Sequence, residues 1–170
     1  NSLIMKKLFT ILAAMLISMV GFAQTAATLT FDNKAKCTSN STSQQVWEEN
    51  GIVFTNDKAA SSTNVALYAP IRLYASSAIT VKCSLGNIAK IEFVCDTYKS
   101  TYPADLQKSI GAEATVSGTK VTVTPTATSD TYAVKKLAAQ VRLKSVTVTY
   151  VAAGTDFVST PSIGGDDYFV

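Results

Sequence analysis

Apolar residues between positions 24 and 151 recur at every second position in short runs, and clusters of Gly, Asn, Asp and Ser separate the runs. A period of two is typical of β-strands that bury one face, because successive side chains point to opposite sides of a sheet. The spacing of the runs, roughly 8 to 12 residues, predicts about eight or nine short strands. We therefore expect an all-β fold, a two-sheet antiparallel β-sandwich whose most typical form is a jelly roll.

The segments between these runs are expected to form loops, turns and one short helix. Residues 34–45 are polar and are expected to form a loop. Gly86-Asn87 is typical of a turn and predicts a hairpin between residues 78–83 and 90–95. One short helix is expected at residues 103–110, because Pro suits the first helical position and a glycine follows the last. Strands are expected at residues 28–32, 51–55, 71–74, 78–83, 90–95, 114–116, 120–124, 131–134 and 141–151.

The last predicted strand changes phase midway. Val141 and Leu143 place apolar side chains at odd positions, whereas Val146 and Val148 place them at even positions. An extra residue on one strand shifts the alternation in this way. The pattern predicts a β-bulge at residues 144–145.

The two ends of the chain differ from the alternating part. Lys6 and Lys7 precede an apolar run that ends in Gly21-Phe22-Ala23, which is typical of a secretory signal peptide cleaved after Ala23. The run is shorter than the roughly 20 residues of a membrane-spanning helix. We expect a signal peptide at residues 1–23, a β-sandwich domain at residues 24–151 and a flexible tail or linker at residues 152–170. The mature protein is expected to be bacterial and secreted or otherwise extracytoplasmic, in the periplasm or on the outer surface, with no membrane span.

Composition excludes several classes of function. The chain has 15 basic and 12 acidic residues and no histidine. Without histidine there is no Ser-His-Asp or Cys-His catalytic set and no histidine-ligated zinc or haem. Cleavage would remove Lys6 and Lys7 and no acidic residue, which leaves a charge near zero and makes nucleic acid an unexpected partner.

Three cysteines leave at least one thiol unpaired. Cys83 and Cys95 lie at the far ends of the predicted hairpin, beyond the about 7 Å between Cα atoms that a disulfide tolerates. Both share the inward parity of their strands and are expected to pack as small core residues. Pairing of Cys37 with either of them stays open.

Five segments together resemble a family of uncharacterised secreted β-sandwich domains from Bacteroidota. They are WEENGIVFTN (47–56), PIRLYASSAITVKC (70–83), IAKIEFVC (88–95), SIGAEATVSGTKVTVT (109–124) and QVRLKSVTVTYV (140–151). The resemblance covers residues 29–151, and a leader ending in GFAQ fits the same source. It implies a jelly-roll accessory or binding module of an exported protein, with no activity attached to it.

Acidic residues offer two kinds of chemistry. A small glycoside-active enzyme would need two carboxylates facing each other across about 5 to 9.5 Å, but no acidic residue has a recognisable acid/base context, so we expect no catalytic residues. We expect no cofactor other than a structural calcium ion, for which Asp32 and Asp96 are the candidate oxygen ligands. The carboxylates considered for catalysis are Asp32, Glu48, Glu49, Glu92, Asp96, Asp105 and Glu113.

A group of aromatic and cationic residues is the strongest candidate for ligand binding. Proteins bind sugars by stacking them on aromatic rings while polar side chains bond the hydroxyls. A single tryptophan in a β-sandwich is more often a core anchor, and an arginine on a strand is often an ordinary surface residue, so both alternatives stay open. Six residues form the predicted ligand site: Trp47, Arg72, Tyr74, Tyr98, Tyr102 and Arg142. Tyr68 also lies on an outward or loop position near them.

These features predict a non-catalytic exported binding module with carbohydrate as its ligand. The alternative is a structural or adhesive surface protein that contacts other proteins, with its C-terminal segment as a linker or partner strand. Convergence of Arg72, Tyr74 and Arg142 on one concave face would favour glycan binding, and their dispersal would favour the structural role.

Overall fold

The computed structural model describes residues 24–152 and arranges them in two antiparallel β-sheets with one α-helix. The expected all-β, two-sheet sandwich is confirmed. Jelly-roll connectivity stays a prediction. The predicted leader and residues 153–170 of the predicted tail lie outside the described residues.

The first sheet contains six strands in the order β1-β11-β7-β9-β8, with β5 paired to the start of β11. We refer to it as sheet A. Its strands are β1 (Gln24–Thr30), β5 (Ile71–Leu73), β7 (Gly86–Cys95), β8 (Ala114–Ser117), β9 (Lys120–Val123) and β11 (Val141–Ala152).

The second sheet contains five strands in the order β10-β6-β4-β3-β2. We refer to it as sheet B. Its strands are β2 (Cys37–Asn40), β3 (Gln44–Glu49), β4 (Ile52–Asp57), β6 (Ala78–Cys83) and β10 (Thr131–Val134).

The core lies between the two sheets. In β4 the buried positions alternate with half-buried ones, and β6 and the start of β11 show the same pattern. Burial of these alternating side chains selects the register of each strand, because a slip of one residue would turn its apolar set outward. Three fully buried aromatic side chains pack together in the core. The ring of Phe31 contacts the ring of Trp47 and the ring of Phe54.

The structure confirms the phase change in the last strand. β11 pairs with β7, and the register shifts between Leu143 and Ser145. Because of this bulge, Leu143 and Val146 both point into the core although they differ in parity.

The predicted loop at residues 34–45 is wrong. A short 3-10 helix (Lys34–Lys36) is followed by β2 and by the start of β3, which pair with each other at the edge of sheet B. Three of the four residues of β2 are exposed, so this strand has no buried face to produce an apolar alternation. Backbone hydrogen bonds to a neighbouring strand define it instead.

The predicted hairpin at Gly86-Asn87 is also wrong. β6 belongs to sheet B, where it pairs with β4 and β10, whereas β7 belongs to sheet A, where it pairs with β11 and β9. The chain therefore crosses between sheets at residues 84–85. Gly86 already belongs to β7, where a Cβ atom would overlap the carbonyl oxygen of Val151.

The helix α1 (Tyr102–Ile110) confirms the predicted helical segment and begins one residue earlier. Pro103 lies in its first turn, and Gly111 at its C-terminal end has a positive φ of 93°. The helix packs against β8, β9 and β11. Within residues 24–152 no helix is long and apolar enough to cross a membrane.

All three cysteines are free thiols. Cys83 and Cys95 are buried in the core, as the parity of their strands predicted. Cys37 is half-buried at the edge of sheet B, and its thiol donates a hydrogen bond to the carbonyl oxygen of Ser39.

Candidate functional site

The sequence contains two arginines, and the structure places them directly opposite each other. Arg72 is the central residue of β5, and Arg142 is the second residue of β11. Ile71, Leu73 and the residues on either side of Arg142 point into the core, so both arginines lie on the outer face of sheet A. Side chains at directly opposed positions of antiparallel strands have Cβ atoms about 4.5 to 5.5 Å apart.

Each arginine lies over the ring of a tyrosine. The guanidinium carbon of Arg72 is 3.8 Å from the ring centroid of Tyr68, and that of Arg142 is 3.8 Å from the ring centroid of Tyr98. A cation within about 6 Å of an aromatic ring centre is attracted by the negative face of the ring. Arg72 and Arg142 are cross-strand neighbours and each lies over its own tyrosine, so we call Tyr68, Arg72, Arg142 and Tyr98 the arginine row.

Hydrogen bonds to the backbone hold three members of the arginine row, Arg72, Arg142 and Tyr98. The carbonyl oxygen of Arg72 accepts a hydrogen bond of 3.3 Å from the side-chain amide of Asn56, a buried residue of sheet B. The backbone N–H of Asp96 donates to the carbonyl oxygen of Arg142 at 2.9 Å. The Asp96 carboxylate accepts a bond of 2.8 Å from the backbone N–H of Tyr98 and so fixes the loop that carries this ring.

The charges of the two arginines have no partner in residues 24–152. None of the ion pairs there involves Arg72 or Arg142, and neither guanidinium donates a hydrogen bond. The Nε atom of Arg142 is buried without a partner. Both arginines are half-buried, and their other guanidinium nitrogens are not among the fully buried atoms that lack a partner in the described residues.

Tyr102 is a buried neighbour of the arginine row, since the charges of Arg142 and Arg72 act on its hydroxyl. The sequence placed this residue at the surface, and that prediction is wrong, because Tyr102 begins α1 and is fully buried. Burial raises the pKa of its hydroxyl, while the nearby charges of Arg142 and Arg72 act to lower it and that of Asp96 acts to raise it. The hydroxyl has no hydrogen-bond partner in the described chain.

Two grooves adjoin the arginine row. The larger, of about 500 Å³, is lined on the Tyr68 side by Ala69 and Pro70 and along β11 by Lys144 and Ser145. Volumes of roughly 300 to 1,000 Å³ are typical of ligand sites.

The smaller groove, of about 270 Å³, lies on the Tyr98 side. Asp96, Thr97 and Lys99 line it together with Pro103 of α1. No member of the arginine row lines either groove; the linings include its neighbours in the chain, Ala69 after Tyr68 and Thr97 and Lys99 beside Tyr98.

The other predicted site residues take different places. Tyr74 follows the end of β5 and is half-buried, and it shares the outward parity of Arg72. Trp47 is fully buried in β3, where its ring meets that of Phe31, so it offers no face to a ligand. Its role as a ligand contact is corrected to that of a core anchor, as is usual for a single tryptophan in a β-sandwich.

Asp32 and Glu49, two of the carboxylates considered for catalysis, are held by a lysine and by hydrogen-bond donors. Lys36 Nζ lies 2.7 Å from Asp32 and 3.0 Å from Glu49. Hydrogen bonds from Lys36 and Thr30 lower the pKa of Asp32 to about 2. The backbone N–H of Thr30 donates a hydrogen bond to Glu49, and this bond and Lys36 lower the pKa of Glu49.

Two further carboxylates behave in the same way. Lys120 lies 3.1 Å from Glu92 and lowers its pKa, together with Lys90. Glu113 accepts bonds from Thr126 and from the Tyr132 hydroxyl, and these lower its pKa. A carboxyl group that acts as a general acid needs a raised pKa, the opposite of all four shifts.

The metal prediction names Asp32 and Asp96 as ligands. Asp32 is engaged by Lys36, and Asp96 by the backbone of Tyr98. Across residues 24–152, no three His, Cys, Asp or Glu side chains come together in a group that could hold a metal ion.

Sequence reasoning identified most members of the arginine row but not their arrangement. Tyr68 was noted only as an aromatic residue near the site, and it proves to be the partner of Arg72. The segments IRLY (71–74) and VRLK (141–144) each put an arginine at an outward position, but this similarity does not indicate that the two strands pair.

No protein-family model matches the chain, and it matches neither a curated protein nor a solved structure. The resemblance to secreted β-sandwich domains therefore stays a prediction, and the function is argued from the arginine row alone.

Proposed function

We propose that this protein is a non-catalytic binding module of an exported protein and that it binds carbohydrate on the arginine row. The observation that carries the proposal is the group of four side chains, two tyrosines and two arginines, on the outer face of sheet A. Such a group offers both kinds of contact that a sugar needs, an aromatic surface and hydrogen-bond donors.

The aromatic surface is provided chiefly by Tyr98. Its side chain is 66% exposed although Arg142 covers one side of the ring, so the remaining surface is open to a ligand. An exposed tyrosine gives a large, amphipathic contact area at a low cost in conformational entropy. The fixed loop around Asp96 holds the ring in position before a ligand arrives.

The hydrogen-bond donors are the free guanidinium N–H groups of Arg72 and Arg142. Stacking on a tyrosine restricts each guanidinium group, and its planar fork of donors stays available at the edge. The two grooves lined by chain neighbours of Tyr68 and Tyr98 are the candidate positions for neighbouring sugar units. The opposition of Arg72 and Arg142 is one part of the expected convergence of Arg72, Tyr74 and Arg142 on a concave face.

The carboxylates support binding rather than hydrolysis. Each carboxyl group with a shifted pKa in residues 24–152 has it shifted downward, so these groups are ionised at neutral pH. A glycosidase needs one protonated carboxyl group beside one ionised group.

The proposal is tested by affinity electrophoresis of the purified protein on a panel of soluble neutral and acidic polysaccharides. We expect at least one polysaccharide to retard the protein. Tyr98→Ala and Arg142→Ala should weaken this binding by about tenfold or more, which corresponds to about 1.4 kcal/mol. The matched control is Val116→Ala, which removes an exposed apolar side chain of β8 outside the row and should bind as the unaltered protein does.

Circular dichroism of each variant separates lost binding from lost folding. A panel on which no polysaccharide retards the folded protein would overturn carbohydrate binding. The alternative would then take its place, a structural or adhesive protein that contacts other proteins. Sheet A ends at β8 and sheet B ends at β2, and such edge strands can pair with a strand of a partner.

A further inference from the structure

The arginine row contains an unusual juxtaposition of like charges. Directly opposed like charges on neighbouring strands are destabilising, and the chain places its two arginines at such positions. Stacking on Tyr68 and Tyr98 compensates each cation partly. It does not remove the repulsion between them, because each ring interacts with its own arginine.

Few neighbouring acidic groups could neutralise the pair. Asp96 is the acidic residue whose charge acts on Tyr102, and it forms no ion pair with either arginine. Asp32, in the larger groove, already pairs with Lys36. Lys99 and Lys144 line the two grooves and add positive charge. The described surface around the row therefore has an excess of positive charge.

We propose that the arginine row binds an acidic group of the carbohydrate, a carboxylate or a sulfate ester held between the guanidinium groups of Arg72 and Arg142. This inference rests on the proposed function and specifies its ligand as an acidic polysaccharide. A guanidinium group presents paired N–H donors that match the paired oxygens of such an anion, and an anion between the two groups relieves their repulsion.

The surroundings of the row strengthen this interaction. Tyr102, on whose hydroxyl the charges of both arginines act, is fully buried, and the Nε atom of Arg142 is shielded from water. Charges interact more strongly where water is excluded. A neutral sugar would cover the two cations without neutralising them, and covering a charge without compensation costs free energy. The site therefore discriminates in favour of an acidic ligand.

Isothermal titration calorimetry at physiological salt tests the proposal with two matched pairs of probes. One pair is oligogalacturonate and the same oligosaccharide after reduction of its carboxyl groups. The other is sulfated dextran oligosaccharide and unsulfated dextran oligosaccharide. We expect the acidic member of at least one pair to bind about tenfold or more tightly than its neutral partner, and the pair that responds identifies carboxylate or sulfate as the ligand group.

Nuclear magnetic resonance gives a direct readout of the two side chains. Because the chain has two arginines, its spectrum should contain two Nε–H signals, which Arg72→Lys and Arg142→Lys assign. Both signals should shift on addition of the acidic probe that binds, and neither should shift with the neutral probe. Binding of the acidic probe with unshifted Nε–H signals would overturn the proposal, since the anion would then lie elsewhere.

Variants distinguish a site from general attraction to a polyanion. Arg72→Gln and Arg142→Gln should each weaken binding about tenfold or more, and Arg72→Lys should weaken it severalfold, because lysine keeps the charge but lacks the fork. Lys82→Gln removes one charge from the exposed side of β6 in sheet B and should have little effect. An equal loss in Lys82→Gln and Arg72→Gln would overturn the proposal.

The outcomes separate this inference from the proposed function. Equal or tighter binding of a neutral probe, or binding only to neutral members of the electrophoresis panel, would overturn the acidic ligand and leave carbohydrate binding in place. Absence of binding to every probe and to the whole panel would overturn both.

Discussion

The ring of Trp47 meets the ring of Phe31 edge-on, with their centroids 5.4 Å apart and an angle of 83° between the ring planes. Phe31 in turn contacts Phe54 at 5.0 Å. All three side chains are fully buried. The residue after β1 is thereby packed against β3 and β4, so this aromatic group joins sheet A to sheet B.

Removal of the Trp47 ring should destabilise the sandwich strongly. Truncation of a buried aromatic side chain to alanine costs about 3 to 5 kcal/mol, through lost burial and the cavity that remains. We expect Trp47→Ala to lower the free energy of unfolding by that amount in urea denaturation followed by circular dichroism, and Trp47→Phe to lower it less. Tyr98→Ala is the control, and a loss as large as that of Trp47→Ala would contradict these assignments of core and surface.

The ion pair between Lys36 and Asp32 predicts a dependence of stability on pH. Hydrogen bonds from Lys36 and Thr30 lower the pKa of Asp32 to about 2 from its ordinary 3.8. The contribution to stability is therefore complete above about pH 4 and is lost as the pH falls towards 2. In Lys36→Met we expect the pKa of Asp32, followed by nuclear magnetic resonance, to return towards its ordinary value.

Urea denaturation across the same pH range checks the consequence for folding. The unaltered protein should lose more stability between pH 4 and pH 2 than Lys36→Met does. Lys34→Met is the control, because Lys34 is exposed and forms no ion pair in the described part of the chain. An equal loss of stability in the unaltered protein and in Lys36→Met would show that this pair does not act on folding.

The three thiols should differ in reactivity. Burial raises the pKa of Cys95 to about 12, and Cys83 is fully buried. Only the half-buried Cys37 should react with iodoacetamide in the folded protein, and slowly, because burial also raises its pKa. Mass spectrometry should show one modified cysteine before unfolding and three afterwards. Modification of one cysteine or none after unfolding without reductant would indicate a disulfide and contradict the free thiols.

Gly86 should not accept a side chain. A Cβ atom there would overlap the carbonyl oxygen of Val151 on the neighbouring strand β11. We expect Gly86→Ala to lower the free energy of unfolding by about 1 to 3 kcal/mol or more, since overpacking displaces the paired backbone. Gly118→Ala is the control, because its Cβ would meet no atom within 4 Å and only its φ of 58° carries a cost, about 1 kcal/mol. If Gly86→Ala and Gly118→Ala lowered stability equally in thermal unfolding, this would contradict the close approach of β7 and β11.

Most strands with a buried face were predictable because each one repeats a local rule, but β3 was missed, since one of its two buried residues is the polar Gln45. The segment 78–83 was expected as a strand and is β6, and the phase change in β11 showed its bulge. The strand β2 was missed because its side chains are mostly exposed. The backbone hydrogen bonds that define it produce no alternation of apolar and polar residues in the sequence. Tyr102 was misplaced because a tyrosine beside a polar loop gives no sign that the helix it begins will pack against three strands.

The candidate site was likewise predictable from the sequence only in part. Alternation placed Arg72 and Arg142 on outward faces, and this depends only on the apolar neighbours of each. That the two are opposite each other depends on the register of β5 against β11, which are far apart in the sequence. Tyr68 and Tyr98 reach the arginines from separate loops, which no periodicity describes.

By itself the sequence determined most of the segments that extend as strands, though not β2 or β3, and which side of each predicted strand faces the core, because the pleat alternates side chains at every residue regardless of the partner strand. The tertiary structure alone decided which sheet each strand joins, as the separation of β6 from β7 shows. It also decided that the two arginines lie opposite each other, each over its own tyrosine. Strand pairing is a choice among many registers that satisfy the same backbone hydrogen bonds, and only the packing of the whole core selects one of them.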